Sequence, residues 1–172
     1  MLTHLQNEIQ SACANGAWTL AVMGSLTIPD TCGALREPGA SVGQRYKNWF
    51  NAYAAASFNT GNPATSLSAD DCYQLRCSLL HENSQILHKV TGQATRVIFV
   101  APDPQDMVLD MSLLDDALAL HIPSFCDRIL SALSKWDVAE GSDPAVIANA
   151  ASVVRLHPQG LAPYVVGYPI LG

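Results

Sequence analysis

The chain has 172 residues, 49% of them hydrophobic and 14% charged, with a formal net charge of −6. That length buries one substantial core and that composition leaves little room for intrinsic disorder, so a single folded domain is expected. Charges balance through residue 100 and the acidic excess lies beyond it, between Asp103 and Asp143; this excludes a broad grip on a polyphosphate, and any nucleic-acid contact is expected in the first 100 residues.

Leu2, Leu5, Ile9, Ala12 and Cys13 recur at helical spacing, and the apolar character continues through Trp18, Ala21, Val22 and Leu26. This predicts helix with a break at Asn15-Gly16. No formal charge lies between Glu8 and Asp30, an interval near the roughly 20 residues that span a bilayer. Gln10, Ser11, Asn15, Thr19 and Ser25 within it point instead to a core helix and no membrane contact. Pro29 is expected to end or kink that helix, with Asp30 or Thr31 capping the next turn.

Residues 42–56 place Val42, Tyr46, Trp49, Phe50 and Tyr53 on one side of a second amphipathic helix, with Arg45, Lys47, Asn48 and Asn51 on the other. Arg45 and Lys47 read as a solvated face or a local basic patch. Residues 57–66 are turn chemistry throughout. Ser68 with Asp71 three residues later then forms a capping box that opens a helix running to about His88. Further on, residues 95–102 and 116–123 are strand-like and suggest a small hairpin or flap. Pro123 and Ser124 open another helix that turns Phe125, Ile129, Leu130, Leu133 and Trp136 inward, and Asp143-Pro144 starts a shorter one.

The fold predicted is mainly α-helical, a bundle of four to six helices with a small two-stranded β element. One domain is expected over 1–157, followed by an apolar tail, 158–172, that packs on the body or on a neighbouring subunit. The five cysteines (Cys13, Cys32, Cys72, Cys77 and Cys126) contain no C-x-x-C pair, so they read as reduced, mostly buried thiols of a cytoplasmic protein without a zinc site or other cofactor. No Lys or Arg precedes Arg36, which argues against a secretory leader. Trp18, Trp49 and Trp136 read as core aromatics.

The chemistry lies in "QLRCSLLHEN", residues 74–83. Asp71, Gln74, Ser78, His81, Gln85 and His88 make a polar stripe, whereas Cys72, Leu75, Leu79, Leu80 and Ile86 define the apolar side, with Arg76 among them. A guanidinium buried without a partner costs several kcal/mol, so a counter-charge or a ligand is required. Asp30, Asp71 and Glu82 are the candidate carboxylates. On a regular α-helix His81 stands about 140° round from Arg76, so the two are expected to share a cleft only where a second helix, such as that of a partner copy, packs alongside. The plainer alternative for His81 is a hydrogen bond to Gln85 or Ser78 on an exposed face. His88, seven residues from His81, lacks the spacing of a metal pair, and Ser78, His81 and Asp71 lack the nucleophile turn of a hydrolase.

Arg76, the intervening "CSLL" and His81 resemble the R-x4-H motif of HEPN domains, and the flanking "IPDTCG" and "FCDRILSALSKW" are similar to uncharacterised bacterial, plasmid and phage proteins of that kind. The resemblance covers roughly residues 1–140. It implies a metal-independent endoribonuclease of the toxin or phage-defence type, acting as a homodimer on RNA, with an antitoxin-like protein as a further partner. His81 would be the general base on the ribose 2′-OH and Arg76 would stabilise the charge growing on the scissile phosphate. Cys77 follows the arginine where active members usually carry Asn, Asp or His. Cys77, Ser78 and Asp30 are accordingly supporting candidates. The alternative is a non-catalytic HEPN-like domain that binds a nucleotide or a protein.

Overall fold

The computed structural model describes residues 2–82, 96–103 and 108–172. Six α-helices dominate: α1 (Thr3–Ala14), α2 (Trp18–Arg36), α3 (Val42–Trp49), α4 (Ala69–Cys77), α5 (Ile122–Glu140) and α6 (Pro144–Ala150). The mainly helical bundle expected from the periodicity is present. Its hub is α2, which packs against α1, α3, α4, α5 and α6.

The break between α1 and α2 falls at Asn15 and Gly16, and Gly16 has φ of +72°, a left-handed conformation that glycine adopts without a Cβ penalty. Pro29 does not end α2. The helix runs on for two more turns to Arg36, and Pro29 is buried together with Ile28, Cys32 and Gly33. Its missing N–H costs about 3 kcal/mol in an open helix; here the packing around it offsets that cost. Asp30 is consequently an interior helical residue and not a cap.

Gly33 sets how closely α3 approaches α2. A Cβ at that position would stand 2.9 Å from the carbonyl oxygen of Arg45, so no larger residue fits without moving the backbone of α3. Tyr46, Trp49 and Phe50 are buried as the sequence implies, and the helix then widens into a π-turn over Phe50–Ala54 and tightens into a 3₁₀ turn over Ala55–Phe58. Phe58 stacks on Phe50 at 5.4 Å and meets Phe125 at 5.6 Å, while Phe125 meets Phe99 edge-on at 5.2 Å. This run of rings joins α3, α5 and the sheet, and each such pair adds about 1 kcal/mol beyond burial.

The β element has one strand more than expected. β1 (Arg96–Val100) lies parallel to β3 (Ala117–His121), with Val97 opposite Leu118, and β2 (Ser112–Leu114) pairs antiparallel on the other side of β3. The hairpin is therefore β2–β3, turning through Asp115 at φ +54°. Asp110, just ahead of β2, fastens this sheet to α5. Its two oxygens take the two Nη groups of Arg128, and Oδ1 also accepts the backbone N–H of His121. Burial pushes the Asp110 pKa up, but the Arg128 and His121 bonds outweigh it and hold the carboxyl below its ordinary value. A depressed folded-state pKa gives stability that is complete above the unfolded aspartate value near ~3.9 and is lost as pH falls through the folded value. Asp110→Asn is therefore expected to lose about 2 kcal/mol at neutral pH. Urea unfolding should show that gap closing as pH falls below the ordinary aspartate range, and a gap independent of pH would contradict the account.

Residues after α6 form two small sheets, β4 (Leu156–His157) with β7 (Ile170–Leu171) and β5 (Gly160–Leu161) with β6 (Val165–Val166). Tyr164 is 80% exposed and Val166 and Tyr168 are exposed too. The tail thus orders itself by local pairing and does not bury its aromatic residues on the body of this chain.

Candidate functional site

Ser68 caps α4 as the sequence requires. Its hydroxyl accepts the Asp71 N–H at 3.1 Å, and the Asp71 carboxylate returns bonds to the Ser68 N–H and hydroxyl. From there the buried residues are Asp71, Cys72, Leu75, Ser78 and Leu79, while Tyr73, Arg76, Cys77 and Leu80 are half-buried. The face assignment from the 100° wheel is therefore shifted. Arg76 borders the core without being part of it, and Ser78, expected on the polar stripe, is only 4% exposed.

The regular α geometry ends at Cys77. The helix then opens into a π-turn over Ser78–Glu82, and Gln85 and His88 lie outside the described residues. This widening brings the motif together. In an α-helix the residue above Arg76 is Leu80; in a turn closed by i→i+5 bonds, residues five apart stack. Arg76 Nη1 and His81 Nε2 are accordingly 2.8 Å apart within one chain, and no second helix is needed to join them. A guanidinium only donates, so Nε2 accepts and the ring proton is assigned to Nδ1.

The other end of the guanidinium is held by Asp30 of α2, with Nη2 2.5 Å from Oδ2. Of the three candidate carboxylates, Asp30 is the partner. The side chains are 18% and 15% exposed, so this pair is largely desolvated. Burial lowers the Arg76 pKa, but the Asp30 charge and its hydrogen bond, with Cys77 adding to them, more than compensate and raise it. Arg76 stays charged. Asp30 Oδ1 and Arg76 Nε are nevertheless buried without hydrogen-bond partners, an unusual cost for a pair that served only to brace two helices.

Cys77 is half-buried rather than buried, and its thiol hydrogen-bonds with Arg76 and with the Tyr73 phenol. Tyr73 packs on Tyr46 at 5.3 Å, and Tyr46 Oη lies 3.4 Å from Cys72 Sγ in full burial. Burial, and next the neighbouring Cys77, raise the Tyr73 pKa. Periodicity alone did not mark Tyr73 as part of the site. No local pattern could have, because its place beside Cys77 and Tyr46 is set by the packing of α3 on α4.

His81 is exposed and Arg76 half-buried, so the arrangement is a solvent-facing imidazole on a cation anchored from behind. Nη1 and the imidazole are the parts of it nearest solvent, since Nη2 is taken by Asp30 and Nε is buried. Among the described residues no cluster of three His, Cys, Asp or Glu side chains is placed to hold a metal, and no helix is long and apolar enough to cross a membrane. No family model matches the chain, and no curated protein or solved structure matches it either.

Proposed function

We propose that this protein is a HEPN-like, metal-independent endoribonuclease of the toxin or phage-defence type, working in the cytoplasm as a homodimer. The observation that carries the reading is the 2.8 Å contact of Arg76 Nη1 with His81 Nε2, backed by Asp30. In the resting pair Nε2 is occupied by the guanidinium. A phosphodiester entering the site competes for Nη1, which frees Nε2 to accept the proton of the ribose 2′-OH. The 2′-oxygen then attacks phosphorus, Arg76 neutralises charge on the phosphoryl oxygens, and the 5′-oxygen departs and takes a proton from water. The products are a 2′,3′-cyclic phosphate and a 5′-hydroxyl end.

The test is incubation of the purified protein with a mixed RNA pool in EDTA. Cleavage to cyclic-phosphate ends is the expected result, and an uncut pool both with and without EDTA removes the enzyme reading. Cys77 after Arg76 favours one other reading, a non-catalytic HEPN-like domain that binds a nucleotide or a protein partner, because a thiol orients a phosphate weakly. RNA retained on the protein without cleavage would favour that reading.

A further inference from the structure

Asp30 has a second neighbourhood. It also lines, with α1, the rest of the end of α2, α3, α6 and the segment after it, an open cleft of about 580 Å³, a size that accommodates a small organic ligand. Much of its wall is aliphatic, from Leu5, Ala34, Leu35, Val153 and Leu171. Arg45 of α3 also lines it. Helical periodicity places Arg45 on a solvated face or a local basic patch, but the glycine at position 33 lets the Arg45 backbone lie against α2, and the residue lines this cleft with Asp30 and Thr31.

Arg36, which lines a cleft on the other side of this end of the bundle, pairs with Glu140 and Asp143. Arg45 has neither an ion pair nor a side-chain hydrogen bond among the described residues, and its Nε is buried and unpartnered. Asp30 is committed to Arg76, so it does not neutralise Arg45. A half-buried guanidinium over an apolar wall is costly unless a ligand answers it. The number of charges on that ligand follows from the remaining wall. The Asp30 charge is answered by Arg76, which leaves Arg45 as the arginine and Glu8 as the uncompensated carboxylate on the wall, with His4 beside them; Arg45 can match one negative charge, and Glu8 opposes a second.

We propose that this cleft binds a small organic monoanion, a carboxylate on an apolar body, with Arg45 as its anchor. Nothing here depends on catalysis at Arg76 and His81, so failure of this proposal and failure of the nuclease reading are separate outcomes. The probes are 1-naphthylacetate, its neutral amide and 1-naphthyl phosphate, titrated calorimetrically into the full chain.

Saturable binding of the acetate is expected, about tenfold tighter than the amide, with Arg45→Gln reducing it to the level of the amide. Ala34→Leu, which fills the cleft without altering charge, is expected to abolish it and serves if Arg45→Gln does not fold. The proposal is overturned if the acetate shows no saturation up to about 10 mM. It is equally overturned if the amide binds as well, if the phosphate binds more tightly than the acetate, or if either folded variant binds like the parent.

Discussion

His81→Ala is expected to lower RNA cleavage by about 10²- to 10⁴-fold, the usual contribution of a positioned general base. The imidazole is exposed and its one described bond is to Arg76, so the variant should fold and melt like the parent. Arg76→Ala should cost a similar factor by removing the phosphate-facing donor, but it also strands the Asp30 carboxylate in a largely desolvated position and will unfold more readily. Arg76→Lys separates these effects. A single ammonium can answer Asp30 or approach His81 but cannot bridge both, so stability should be largely retained while cleavage falls. Because the two residues act on one phosphate, the double variant should be no slower than the worse single one. Cleavage that persists in folded His81→Ala would remove this mechanism.

Asp30→Ala is expected to destabilise the fold by about 3 kcal/mol, since it leaves the Arg76 guanidinium without a counter-charge between α2 and α4. Removing both partners should recover much of that loss, because the penalty lies in the uncompensated charge rather than in the missing attraction. A double-mutant cycle by urea unfolding measures this, and a coupling of about 2 kcal/mol is expected. If Asp30→Ala costs less than about 0.5 kcal/mol, the pair is a surface contact of the ordinary weak kind. Cleavage should fall as well. Without Asp30 the guanidinium is free to rotate away from His81, and the effect should appear in turnover more than in RNA affinity.

The helices were legible because their signals are local. The Ser68–Asp71 capping box, Asp143 ahead of Pro144, and the inward row Phe125, Ile129, Leu130, Leu133 and Trp136 all appear where the sequence places them. Pro29 misled because its cost is local whereas the burial that offsets it comes from several helices at once. The third strand was hidden in an ambiguous connector, since a three-residue strand carries too little alternation to register.

At the site, the residue types and their order along the chain came from the sequence by itself: a cation and an imidazole five apart, with Asp30 among the eligible carboxylates. Their contact did not. It depends on a π-turn, which breaks the 3.6-residue period that sequence reading assumes, and on α2 passing close enough for Asp30 to reach Arg76. Which carboxylate pairs, which arginine is left unpaired and which face of α4 meets solvent are matters of distance between segments remote in sequence, and only packing sets those distances.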